Sequence, residues 1–281
     1  PPPMPFDDTS AALVQALGDL GLTLFFALLA LLLPAATLLW WLVQRYAVPS
    51  KTSRLPAGAF LLIRLASGFA VLVGAAAVFA EIAEALGDGP RAGQLDQLFS
   101  DALRASTAGW ALQVFAGITR LGDTATLAAG GVGVATVLLL RGRRWLALGW
   151  VLAISGNALL NTTLKALFER TRPVHDSALV HADGWSFPSG HSSGSVVVYG
   201  MLAYVLIHSL PPDTARRASL PLVLLAAVLA FSVGCSRVFL QVHFATDVLA
   251  GFASGTAWLA VCVASIELTR HYGRTRATAL R

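Results

Sequence analysis

Leu20–Val43 reads LGLTLFFALLALLLPAATLLWWLV and contains no charged residue. A helix rises about 1.5 Å per residue and the hydrocarbon core of a bilayer is about 30 Å thick, so about twenty apolar residues suffice to cross it. This run meets that length, and Pro34 within it is tolerable in a membrane helix, where neighbouring groups re-satisfy the freed backbone. Reading outward, runs with at most one charge follow at 56–80, 124–140, 145–164, 192–210, 218–235 and 248–266. The chain is 56% hydrophobic and only 12% charged, against about 25% charged residues in soluble domains. The expectation is an all-α polytopic membrane bundle of about seven transmembrane helices.

Charge sets the orientation. Arg45, Lys51 and Arg54 follow the first run, Arg141, Arg143 and Arg144 the third, Arg216 and Arg217 the fifth, and Arg270, Arg274, Arg276 and Arg281 the last. Cytoplasmic loops carry such an excess of Lys and Arg. Outside the polar clusters treated below, the alternate connections hold only Arg91, Arg104 and Arg120, and residues 1–19 hold no Lys or Arg. The N-terminus is therefore expected outside and the C-terminus inside. The net charge of +5 is this topological bias rather than a nucleic-acid footprint, because the basic residues fall in short loops and not along one polar face. Cys235 and Cys262 sit in apolar runs and read as small buried hydrophobes. Pro1-Pro2-Pro3-Met4 reads as a trimmed or tagged start, and no cleavable signal peptide is expected.

The expected organisation is an extracytoplasmic segment 1–19, an additional helix and loop 20–55, a core 56–267 and a basic tail 268–281. Trp40, Trp41, Trp145 and Trp150 lie near span ends, as interfacial aromatics do. Arg64, alone inside its run, is expected to snorkel to the cytoplasmic interface. Gly130, Gly131, Gly133 and the Gly251/Gly255 pair read as close helix packing. In the long connection 81–123, Leu95, Leu98, Phe99, Ala102 and Leu103 recur at helical spacing against Asp96, Gln97, Asp101 and Arg104. That pattern describes an amphipathic interfacial helix near 93–105, which either covers the outer end of the bundle or gates lipid entry.

Three polar clusters interrupt the apolar pattern, all on the predicted outer side. In the first, Arg172 follows Lys165 by seven residues. If the helix continues for two turns both cations share a face, with Pro173 marking its end. In the second, Pro188-Ser189-Gly190-His191 precedes a span, so Gly190 admits close backbone approach and the new helix offers its N–H groups to an anion. Ser189 is either a phosphate donor or a helix cap, and His191 is placed to donate a proton. In the third, Ser236-Arg237-Val-Phe-Leu-Gln-Val-His243-Phe-Ala-Thr-Asp247 puts His243 one helical turn before Asp247. The carboxylate can then take the Nδ1 proton and leave Nε2 a lone-pair nucleophile, with Arg237 as a third cation. Each cluster alone has a bland reading: interfacial anchoring, capping, or a structural His-Asp bond. Their combination does not. His175, His181 and Asp183 match no metal-ligand spacing, and no metal or cofactor is expected.

Together the clusters resemble the signature motifs of the type 2 phosphatidic acid phosphatase (PAP2) superfamily, strongly over 165–247 and only by pattern in the flanking helices. The resemblance implies that His243 attacks phosphorus, Asp247 supports it and His191 protonates the leaving oxygen. Lys165, Arg172, Ser189, Gly190 and Arg237 fill the family's phosphate pocket, and a phosphohistidine is hydrolysed without metal. The family's bacterial core is commonly six helices, so residues 20–43 are one helix more. The membrane setting implies a lipid phosphate or pyrophosphate in a bacterial inner membrane. Undecaprenyl pyrophosphate is the preferred substrate, with phosphatidylglycerophosphate or phosphatidic acid as alternatives. A lipid phosphotransferase using the same residues, or a transporter or scaffold with a vestigial site, stays open.

Overall fold

The computed structural model describes residues 8–48, 56–173 and 179–279, excluding the side chains of 8, 57 and 273–279. Lys51, Arg54, His175 and Arg281, and the side chains of Arg274 and Arg276, lie outside the described residues. Among the described residues every regular element is a helix: α1 (Asp8–Asp19), α2 (Gly21–Leu42), α3 (Ala57–Gly87), α4 (Pro90–Ser106), α5 (Gly109–Thr119), α6 (Thr124–Leu140), α7 (Arg144–Phe168), α8 (Gly190–Ser209), α9 (Pro212–Phe239) and α10 (Ala245–Ala279).

Six helical stretches are long and apolar enough to cross a membrane: Gly21–Ala47, Gly58–Gly87, Arg144–Phe168, Gly190–Ser209, Pro212–Phe239 and Ala245–Tyr272. Residues 109–140 pass the same test only as two helices taken together, a broken span or a re-entrant loop. Gly109–Gly122 and Thr124–Leu140 meet at 42°, so the segment expected to lie wholly in the outer connection is half of a bent pair. Its apolar side chains explain this. Ala111 and Phe115 are buried, and the Phe115 ring stacks on Phe239 of α9 at 4.2 Å between centroids. Phe25 of α2 meets Phe115 edge-on at 5.3 Å and stacks on Phe231 at 5.6 Å, which ties the additional N-terminal helix to the core. Each such ring pair contributes about 0.5–1.5 kcal/mol beyond area burial.

In lipid, close packing rather than water exclusion holds helices together, and small residues permit it. A Cβ at Gly251 would lie 2.6 Å from the Ser189 carbonyl oxygen, and one at Gly255 2.8 Å from that of Ser193. α10 therefore approaches the start of α8 at backbone contact. Gly130 and Gly133, by contrast, face open space, and only Gly131 of that trio packs, against Ile154. Trp150 is not interfacial: it is 1% exposed and its indole donates to the Gly131 carbonyl at 2.8 Å. Arg64 does not simply snorkel either. Its Nη1 pairs with Glu267 Oε2 at 2.8 Å and its Nε donates to the Ala47 carbonyl at 2.8 Å, because an intramembrane charge is best offset by a partner from a neighbouring helix.

The amphipathic helix exists as α4, with a wider buried face than its apolar residues alone define. Asp96 and Ser100 are buried along with Ala102 and Leu103, and a Cβ at Gly18 would sit 2.6 Å from Ala102 Cβ, where α1 packs on α4. The buried face thus keeps Ala102 and Leu103 and widens to take in Asp96 and Ser100.

Candidate active site

The three polar clusters converge at one end of the bundle, by routes that differ from the expected ones. α7 stops at Phe168 because Glu169 is left-handed, with φ of 45°. The helix therefore does not run on to Arg172, and Lys165 and Arg172 do not share a helical face. A returning loop brings them together instead. The Arg172 guanidinium donates to the carbonyls of Asp183 (2.9 Å), Gly184 (3.0 Å) and Val242 (2.6 Å), and both Arg172 and Lys165 donate to the carbonyl of Trp185. Carbonyls orient the fork without neutralising its charge. Burial lowers the Arg172 pKa from its ordinary value, while Asp247 and Asp183 oppose the shift.

Ser189 is the cap of α8. Its hydroxyl accepts from the Ser192 amide at 3.4 Å and from the Ser192 hydroxyl at 2.9 Å, and the residue is wholly buried. The expected phosphate-binding hydroxyl is thus turned away, since an N-cap oxygen serves the helix amides first. Gly190 lies 3.0 Å, measured from an added Cβ, from Asn161 Oδ1. His191 Nε2 sits 3.0 Å from Asp123 Oδ1, and Asp123 occupies the break between α5 and α6. The break between these two helices is what delivers this carboxylate.

His243 is not on α10 but in the turn before it, after Gln241 with φ of 58°. Asp247, in the first turn, reaches back: its Oδ2 accepts from the Phe244 amide at 2.9 Å, as an acidic third helical residue does in a capping box. The direct contact from His243 Nδ1 to Oδ2 is long, at 3.4 Å. Ser186 bridges it, with its hydroxyl 3.2 Å from Nδ1 and donating to Asp247 Oδ2. A proton on Nδ1 is thereby held on the carboxylate side, and Nε2 faces the cavity 3.2 Å from Arg172 Nη1. Complete burial pulls the His243 pKa down to about 3 against the support of Asp247, so the ring is neutral at pH 7. Arg237, 2% exposed, donates from Nη1 to Thr119 Oγ1 at 2.8 Å, while its buried Nε has no partner among the described residues.

Lys165, Arg172, Gly190, His191, Arg237 and His243 line one cavity of about 830 Å³, with Asp247 and Ser189 behind its wall. From this charged end the cavity continues between α6 and α7 past Leu127, Ala135, Leu139, Val151 and Ile154. It joins a cationic end to an apolar slot. Among the described residues no group of three His, Cys, Asp or Glu gathers as a metal site. His181 and Asp183 form an exposed pair at 3.0 Å, and His175 is outside the described residues.

Sequence reasoning passed over four polar groups around this site: Ser186, Asp123, Arg170 and Asp96. Arg170 was legible only as a basic residue beside a motif, and the other three have no pattern that singles them out.

A model of the PAP2 superfamily matches residues 144–270. Phosphatidylglycerophosphatase B of Bacillus subtilis (strain 168) is 39% identical over 146 residues, which cover 52% of this chain and 70% of that protein. The crystal structure of a transmembrane PAP2 type phosphatidylglycerolphosphate phosphatase from Bacillus subtilis superposes with a TM-score of 0.63 at 33% identity, covering 68% of this chain and 93% of that one. The chain belongs to the PAP2 superfamily, as a multi-pass membrane phosphatase acting on lipids.

Proposed function

We propose that this enzyme hydrolyses phosphatidylglycerophosphate through a phosphohistidine on His243, at the outer face of a bacterial inner membrane. The observation that carries the reading is the shared cavity: three cations and a neutral buried imidazole at one end, and an apolar slot between α6 and α7 at the other. A lipid whose headgroup ends in a phosphate monoester fits both at once. The orphaned Arg237 Nε supports it further, since buried donors are nearly always paired and this one is free for a phosphate oxygen. Both Bacillus subtilis relatives bear names for phosphatidylglycerophosphate hydrolysis, which moves the preferred substrate from undecaprenyl pyrophosphate to this monoester.

In this mechanism Lys165, Arg172 and Arg237 hold the equatorial oxygens, taking the charge that develops in the transition state. The His243 Nε2 lone pair forms the P–N bond as the P–O bond to glycerol breaks, and the departing oxygen takes a proton from His191. Water then attacks the phosphohistidine, giving up a proton to His191 as inorganic phosphate leaves and His243 is regenerated. Asp123 holds the His191 ring in place. Residues 56–267 supply every group named here, while α1 and α2 pack outside them.

The test is inorganic phosphate release by the purified chain from a panel of phosphatidylglycerophosphate, phosphatidic acid and undecaprenyl pyrophosphate, in EDTA and without added acceptor. Phosphatidylglycerophosphate is expected to give the highest kcat/KM, with activity retained in chelator and vanadate competing. Preference for undecaprenyl pyrophosphate would overturn the substrate, and release only with an added acceptor would identify a phosphotransferase. Loss in EDTA restored by a divalent ion would sink the metal-free mechanism.

The arginine bias supports the orientation. In a background lacking Cys235 and Cys262, Asp88→Cys is expected to react with an impermeant thiol reagent on intact cells, whereas Arg141→Cys reacts only after permeabilisation. The reverse pattern would move the site to the cytoplasmic leaflet.

A further inference from the structure

Arg170 lies between the two cations of the first cluster, yet it does not line the cavity. It faces the support of the nucleophile. Its Nη1 donates to Asp247 Oδ1 and to Thr246 Oγ1, each at 2.7 Å, and its Nη2 donates to Asp96 Oδ2 at 2.8 Å. The guanidinium carbon sits 4.3 Å from the centre of the Phe244 ring. On its other side Asp96 caps the start of α10, accepting from the Thr246 hydroxyl at Oδ2 and facing the Thr246 amide from Oδ1 at 3.4 Å. The Arg170 main chain is engaged too, since its carbonyl accepts from the Ser186 amide at 2.7 Å. One residue thus fixes both partners of His243: the carboxylate through its side chain and the bridging hydroxyl through its backbone.

The geometry matters because the terminal torsion of a carboxylate is broad. Asp247 keeps Oδ2 toward His243, Ser186 and the Phe244 amide only while Oδ1 is held elsewhere. The Arg170 fork holds it, and a planar fork shared between two carboxylates resists rotation in a way a point charge does not. Asp96, 6% exposed, Arg170, 14%, and Asp247, fully buried, form a continuous chain of two ion pairs. Burial raises the Asp96 pKa above the ordinary value, while Arg170 and Thr246 oppose that shift. Its burial and its bonds to Arg170 and Thr246 leave this carboxylate facing these partners rather than water.

We infer that Arg170 and Asp96 are positioning residues: an Asp96–Arg170–Asp247 chain runs from the surface helix α4 to His243 and sets the orientation of the nucleophile. The helix at the outer end of the bundle is by this account part of the catalytic machinery and not a cover. The inference rests on His243 being the nucleophile.

The experiment is rapid-quench measurement of phosphoenzyme formation in the purified full chain at saturating substrate, with vanadate inhibition measured alongside. In Arg170→Gln, Arg170→Lys and Asp96→Ala the rate constant for phosphorylation is expected to fall about 10- to 100-fold, the scale of a misplaced reacting group. Asp96→Asn, which keeps an acceptor oxygen but not the charge, is expected to lose about 3- to 10-fold, less than the misplacement limit. Vanadate affinity should stay at its wild-type value, because the phosphate-holding cations are untouched, while the burst amplitude falls along with the rate constant as phosphorylation becomes the slow step. A reduced amplitude with an unchanged rate constant would mean a purely structural role and overturn the inference. A parallel loss of vanadate affinity would overturn it as well, by placing Arg170 on the phosphate. If the larger changes prevent folding, Asp96→Asn decides, and a wild-type rate constant there refutes the chain. A wild-type enzyme that forms no phosphoenzyme removes the reading of His243 and this inference with it, whereas a normal wild-type burst with unaffected variants removes the inference alone.

Discussion

His243→Ala is expected to abolish turnover of every substrate, by about 10⁴-fold or more, the scale on which removal of a nucleophile acts. No phosphoenzyme should accumulate after acid quench, and the folded fraction should be unchanged, since the ring sits in a turn that the backbone bonds from Val242 and His243 to the Arg237 carbonyl also hold. The role requires a neutral ring. Burial draws the His243 pKa to about 3, below the ordinary value of about 6.5. The active, unprotonated form is therefore present at neutral pH and is lost only as pH falls through the lowered value. In ¹⁵N-histidine spectra the His243 ring should keep its neutral pattern from pH 7 to pH 5. A ring that protonates near its ordinary value would show an open, solvated site. Residual turnover of an activated aryl phosphate by His243→Ala, with a phosphoenzyme still trapped, would assign the attack to another residue.

The second large effect separates the two histidines. A general acid matters in proportion to how poor the leaving group is, and contributes about 10²–10⁴-fold where it is needed. His191→Ala should therefore cripple hydrolysis of phosphatidylglycerophosphate, whose glycerol oxygen must be protonated as it leaves. It should spare an aryl phosphate with a stabilised phenolate, and the gap between the two substrates should be of that order. Asp123→Asn, acting through the 3.0 Å contact to His191 Nε2, should shift the same ratio in the same direction by a smaller amount. Equal losses on both substrates would make His191 a phosphate ligand instead. A phosphoenzyme that persisted in His243→Ala and vanished in His191→Ala would exchange their roles.

Much of the site was legible because membrane sequence is so sparing of polar residues. Lys165, Arg172, His191, Arg237 and His243 stand out against apolar runs, and all of them line the cavity. What the sequence could not convey was how the backbone brings them there. The expectation of one continuous helix from Lys165 to Arg172 failed because a left-handed residue at Glu169 ends it, and nothing in Ala-Leu-Phe-Glu-Arg-Thr marks that stop before Pro173. His243 was expected on the helix with Asp247. In the structure it precedes the helix, so that the carboxylate reaches back and needs Ser186 as a bridge. Ser189 went to the cap because the helix amides behind it are the nearer donors.

The composition and spacing of this chain by themselves determine a multi-span helical membrane protein, six of its seven candidate crossing runs, and the basic and histidine residues that gather at the cavity. These are local properties, written in the length of apolar segments and in periods of a few residues. The tertiary structure alone decides which polar groups answer one another. Arg170 meets Asp247 across 77 residues, Asp96 meets Thr246 across 150, Ser186 meets Asp247 across 61 and His191 meets Asp123 across 68. Contacts between distant segments leave no periodic trace. A carboxylate such as Asp96 reads as the solvated face of a surface helix until the packing of α1 and α10 covers it, and burial makes its partners obligatory.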